Sequence, residues 1–166
     1  MLRRTFASLL VGGAAALASR SALTASATRP DCPANADGIT EADFREYIAA
    51  FNRSDFPGFS RFYAEDIEFL GSGGARHFFS RKAVVDFYTE VKKRMRETVT
   101  VHEVIVGPQG LLADIETELV IFVDWPEFPG SPLKKGQRIV SRTSYQAKLR
   151  DGKFQRIRSA NYQRLA

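Results

Sequence analysis

The chain has 166 residues, enough for one domain with a sizeable core and too few for two full ones. Hydrophobic residues make up 44% and charged residues 26%, which excludes a disordered chain, and no apolar run reaches the roughly 18 residues of a membrane span. The net charge of +5 owes three units to Arg3, Arg4 and Arg20; beyond residue 27 the charges are mixed rather than gathered on a basic face, so no nucleic-acid partner is expected.

Residues 1–27 read as an address rather than a fold element. Met1-Leu2-Arg3-Arg4-Thr5-Phe6 precedes a mildly apolar stretch, residues 7–18, that contains Gly12 and Gly13. Ala25-Ser26-Ala27 then gives a small-x-small cleavage pattern. The paired arginines with Phe6 resemble a bacterial twin-arginine export signal, although Leu2 stands where a Ser or Thr is usual. The expected location is periplasmic or extracellular. A mitochondrial transit peptide, also rich in Arg and Ser and poor in acids, is the alternative, and an uncleaved tail is the third reading. Residues 28–39 read as linker. Cys32 is the single cysteine, so no intramolecular disulfide or thiolate metal cage forms; in Asp31-Cys32-Pro33-Ala34 it reads as incidental rather than catalytic.

Residues 40–166 carry the folded domain. Thr40 predicts a helix N-cap, with Asp43 three residues on. Phe44, Tyr47, Ile48 and Phe51 recur at i, i+3, i+4 and i+7, one apolar helical face that Asn52-Arg53-Ser54-Asp55 ends. A shorter second helix carries Phe56, Phe59 and Tyr63, with Pro57 tolerated in its first turn. Residues 67–70 read as a short strand, Gly71-Ser72-Gly73-Gly74 as a turn and residues 76–79 as a return strand. Ser80 caps a third helix with the face Val84, Phe87, Tyr88, Val91 and Met95.

The period then changes to two, and residues 98–106, 111–125, 137–149 and 154–162 read as strands. Asp151-Gly152 signals a two-residue hairpin, because Gly tolerates the positive φ of a primed turn. Residues 126–136 form a longer loop. On the second long strand Asp114, Glu116 and Glu118 share one face, against Ala113, Ile115, Thr117, Leu119 and Ile121 on the other. On the third, Arg138, Arg142 and Lys148 share a face. An antiparallel pairing brings these acids and bases together on the exposed side, each opposed pair contributing about 0.2–1 kcal/mol. The expected fold is α+β: three N-terminal helices packed on a curved, mainly antiparallel sheet.

The motifs Tyr47-Ile48…Ser54-Asp55, Phe62-Tyr63-Ala64-Glu65-Asp66, Val84-Val85-Asp86-Phe87-Tyr88 and Asp151-Gly152-Lys153, in the order helix, helix, short hairpin, helix, four long strands, resemble the SnoaL-like branch of the nuclear-transport-factor-two-like superfamily. The resemblance covers about residues 40–164. It implies a cone enclosing a pocket for a small apolar ligand. Members are isomerases, dehydratases, cyclases, epoxide hydrolases or non-catalytic binders, so it does not settle function. Against the related ketosteroid isomerases, Tyr47 falls at the oxyanion-hole tyrosine, Tyr88 at a supporting tyrosine and Tyr145 near the protonated aspartate. The catalytic base aligns with Gly71, which cannot move a proton, so that isomerase activity is not expected.

His102, between Val101 and Glu103, acts as acid or base if its face points into the cone; alternation groups it with Thr100 and Val104 and leaves its direction open. His77 reads as an exposed hairpin residue. The two histidines lack metal-ligand spacing and the acids do not cluster with them, so no metal is expected, and no cofactor. Tyr47, Tyr63 and Tyr88 lie on apolar faces and read as core phenols or ligand contacts. Strict pairing through Asp151-Gly152 turns Arg156 and Arg158 inward beside Tyr145 without acids, at several kcal/mol each. One β-bulge after Phe154 turns Ile157, Ser159 and Asn161 inward instead and is preferred. Trp125 and Phe128, each followed by a proline, form either a lid over the cone's mouth or a plug in its core.

The expectation is an exported protein binding a small apolar or polycyclic molecule, with lyase, isomerase or hydrolase chemistry carried by His102, Tyr47 and Tyr145, and with Tyr63, Tyr88, Trp125, Ser159 and Asn161 touching the ligand. The alternative is a non-catalytic module for ligand capture or dimerisation, favoured by Gly71 and by the lack of an obvious inward carboxylate. A homodimer through the outer sheet face is implied by the resemblance alone.

Overall fold

The computed structural model describes residues 38–71 and 74–166. The export segment, Cys32 and Ser72-Gly73 of the predicted turn lie outside the described residues. Ile39, assigned to the linker from sequence, is buried in the core.

Helix α1 spans Glu41–Asn52 and begins in a capping box: the Asp43 backbone N–H donates to the Thr40 hydroxyl, and the Thr40 N–H donates to the Asp43 carboxylate at 2.8 Å. It ends where Ser54 takes a positive φ of 60°. Helix α2, Phe56–Ser60, is capped by Asp55, and Pro57 lies in its first turn, where a missing N–H breaks no helical bond. Tyr63 does not belong to this helix. The helix stops at Ser60 and Tyr63 opens strand β1, Tyr63–Gly71, beside Phe154. Strand β2, Arg76–Phe78, returns antiparallel, and Ser80 caps α3, Arg81–Arg94.

Strands β3, Met95–Gly107, β4, Gly110–Ile121, β5, Arg138–Arg150, and β6, Lys153–Arg164, complete the fold. The six strands form one curved, open sheet in the order β2-β1-β6-β5-β4-β3. It is mixed: β1 joins β6 in parallel, while every other pairing is antiparallel. Among the described residues only α1 and α2 precede the first strand; α3 follows the β1–β2 hairpin, so the helices are only partly N-terminal. Met95 closes the apolar face of α3 and also pairs with Ile121 as the first residue of β3, which removes any loop between helix and strand. Strand β4 stops at Ile121, short of residue 125. Trp125 instead bridges Leu133 across the following loop.

The register carries the bulge after Phe154: Leu149 faces Phe154 while Lys148 faces Arg156, so Gln155 is the extra residue. Ile157 is thereby buried and Arg158 exposed. The outer-face charges pair across strands, Arg138 with Glu118 at 2.6 Å and Arg142 with Asp114. Between helices and sheet lies an aromatic core in which Tyr47, Phe51, Phe59, Tyr63, Tyr88 and Phe154 meet mostly edge to face, at centroid separations of 4.9 to 6.4 Å.

Candidate functional site

A hollow of about 380 Å³ lies between the inner face of the sheet and the helices. Cross-strand register builds its floor in rows. Glu97, Leu119 and Ile139 stand side by side on β3, β4 and β5. The next row is Val99, Thr117, Ser141 and Arg164, then Ile115, Thr143 and Asn161, and last Tyr145 and Ser159. Tyr47 and Phe51 of α1, Tyr88 of α3 and Phe69 of β1 cover this floor, and Phe128 to Ser131 with Leu133 close it from the long loop. Hydroxyl and amide groups thus face mainly aromatic and aliphatic ones.

Five of the residues expected from sequence come together here: Tyr47, Tyr88, Tyr145, Ser159 and Asn161. Three do not. Tyr63 is buried behind Tyr47, with the two hydroxyls 2.9 Å apart. Trp125 packs on Phe128 and Phe87, and it is Phe128 that lines the hollow. His102 lies exposed on the outer face, its Nε2 3.6 Å from the Glu116 carboxylate. The β3 bulge between Val101 and Glu103 lets Val101 pack against the core while His102 stays outside, which gives the direction that alternation left open. His77 is exposed, 3.3 Å from Glu68.

The residue that sequence reasoning missed is Glu97. It is 7% exposed and, among the described residues, the one carboxylate lining the hollow. Its signal was the alternation Met95, Glu97, Val99 on one face, hidden because the strand was expected to begin at Thr98. Burial pushes the Glu97 carboxyl above the usual carboxylate range, with the charges of Arg76 and Lys92 opposing. Lys92 sits over the Phe51 ring and donates to the Glu97 carbonyl at 3.3 Å; its own ammonium is shifted down by burial.

The phenols stay neutral. Burial pushes Tyr63, Tyr88 and Tyr145 well above the ordinary tyrosine range and Tyr47 upward. The Tyr145 hydroxyl is buried and makes no hydrogen bond of good geometry among the described residues. Thr143 donates to the Asn161 side-chain oxygen at 2.9 Å, which leaves the Asn161 amide N–H groups as donors for the hollow. Among the described residues no three His, Cys, Asp or Glu side chains converge as metal ligands.

Residues 44–157 match the family described as the SnoaL-like domain. No curated protein matches the chain. Among solved structures, a candidate polyketide cyclase from Xanthomonas campestris pv. campestris is 23% identical, with a TM-score of 0.61 over 72% of this chain and 87% of that one. A second candidate polyketide cyclase, from Pseudomonas putida, is 21% identical, with a TM-score of 0.60 over 74% and 90%. An LEH-like epoxide hydrolase of M. tuberculosis is 12% identical, with a TM-score of 0.59 over 72% and 80%. At these identities the likeness establishes a shared fold.

Proposed function

The chain belongs to the SnoaL-like domain family, and from that premise we propose that it binds a small, largely apolar molecule, aromatic or polycyclic, in a cone pocket and acts on it by cofactor-independent acid–base chemistry as a lyase or isomerase. One observation carries the reading: Glu97 is buried in the same hollow as Tyr47, Tyr88 and Tyr145. A carboxyl with a raised pKa holds its proton closer to neutrality and suits both taking and giving one, a contribution of about 10²–10⁴-fold when well placed. Tyr145 and Tyr47 are neutral donors for an oxygen on which charge develops. Asn161 and Ser159 orient the ligand, while Tyr63 acts through Tyr47 and Trp125 through Phe128.

Ketosteroid isomerisation is not part of the proposal, because position 71 is glycine. That glycine also favours the second reading, a non-catalytic binder or dimerisation module. Export remains a proposal supported by Arg3-Arg4 and Ala25-Ser26-Ala27. A homodimer through the outer face is proposed from the resemblance, and a monomer at micromolar concentration in light scattering contradicts it.

Native mass spectrometry of protein purified from its own host tests the binding reading. The expected result is a retained small molecule in the wild type that Thr117→Trp, which fills the hollow, no longer holds. Ligand-free wild-type protein that also shows no thermal shift in a host metabolite extract contradicts it.

A further inference from the structure

Resting on that reading of the hollow, we propose that its ligand is an organic acid, an aromatic or polycyclic carboxylate or enolate, and that Arg76 receives the acidic group. Arg76 opens β2 and lines the hollow. Its guanidinium carbon lies 5.7 Å from the centre of the Phe87 ring and 6.0 Å from that of Phe128, so the cation is seated against two aromatic faces. Its strand partner is Gly71. A Cβ at position 71 would come within 2.9 Å of Arg76 Nε and 3.1 Å of Cζ. The glycine keeps open the space in which the guanidinium rests. An alanine there would push the head group, and a longer side chain would displace it.

The charges of the hollow agree. Two guanidinium groups, Arg76 and Arg164, line it with a single carboxylate, Glu97. Even with Glu97 ionised, two guanidinium groups against one carboxylate leave the lining positive. The uncharged groups add donors: the Tyr145 hydroxyl and the Asn161 amide. A neutral apolar ligand would shut water away from a net positive lining without bringing a charge to balance it, at a cost in desolvation. A planar carboxylate or enolate gains charge-assisted hydrogen bonds from a fork that matches its shape, beyond the interactions Arg76 already has.

The test uses two probes of nearly equal shape, 2-naphthoate and 2-naphthamide, titrated calorimetrically into the full chain. Wild-type protein is expected to bind naphthoate about tenfold or more tightly than naphthamide. Arg76→Gln is expected to abolish that preference while holding naphthamide affinity within about twofold, which shows that the hollow is intact. Arg158→Gln, on the outer face, leaves the preference as it was. Equal binding of the two probes by wild type overturns the acid proposal and leaves the binding reading standing. Loss of the preference in Arg164→Gln instead of Arg76→Gln overturns the assignment to Arg76. Failure of both probes to bind overturns the proposal together with the binding reading.

Discussion

The hydroxyl oxygens of Tyr47 and Tyr63 lie 2.9 Å apart, one residue lining the hollow and the other buried behind it. Tyr63 bonds Tyr47 from the core side and fixes the direction of its phenol. Tyr63→Phe is therefore expected to cost about 0.5–1.5 kcal/mol of stability in denaturant unfolding. It also raises the Tyr47 pKa further, since the Tyr63 bond holds it down. A double-mutant cycle with Tyr47→Phe checks this, and additive losses would show that the bond contributes nothing.

Glu97 links the site to pH-dependent stability. Its folded pKa lies above the ordinary carboxylate value of 4.5, so the folded state holds the proton after the unfolded chain has released it. Stability contributed by this group is complete below 4.5 and declines as pH rises from there toward the folded pKa. Glu97→Gln keeps the shape without the charge. It is expected to be more stable than wild type at pH 8 by about 0.5–2 kcal/mol, with the difference shrinking toward pH 4. A difference independent of pH contradicts the raised pKa.

Asn52 holds the edge strand. Its side-chain amide donates to the Val99 carbonyl and accepts from the Val99 N–H, both at 2.8 Å, as a neighbouring strand would. Among the described residues β3 is the outermost strand on that side, and no other strand supplies these bonds. Asn52→Ala is expected to destabilise by about 1–3 kcal/mol. Hydrogen exchange at the Val99 amide should speed up more than at Val101. Uniform exchange across β3 would rule out a local clamp.

His102 is exposed beside Glu116, outside the hollow. His102→Gln is expected to leave ligand affinity within about twofold of wild type. A tenfold loss by calorimetry would mean that the inner and outer faces communicate through β3.

Much of the frame was legible in the sequence because local chemistry wrote it. Thr40 with Asp43, Ser80 before Ala83, and Asp151-Gly152 act within a few residues, and each stands where expected. The bulge after Phe154 was legible for a different reason: the alternative buried arginines. Tyr63 was misplaced because an apolar residue four after Phe59 reads equally as helix or as strand. Met95 serves both periods at once. Trp125 left its strand because Pro126 follows and Leu133 offers a bridge across the loop, a partner set by tertiary structure. Glu97 was missed and His102 left undirected for one reason: strand start and bulge decide which face a side chain takes, and a one-residue error inverts it. The inward carboxylate was therefore expected nowhere, and the direction of the histidine stayed open.

The most direct measurement is the rate at which wild-type protein and Glu97→Gln convert the molecule retained from the host, compared where both are fully folded. Turnover by wild type is expected, with a loss of about 10²-fold or more in Glu97→Gln and binding preserved. Equal rates in the two proteins, or a molecule that binds and is never altered by either, would contradict a catalytic role for Glu97.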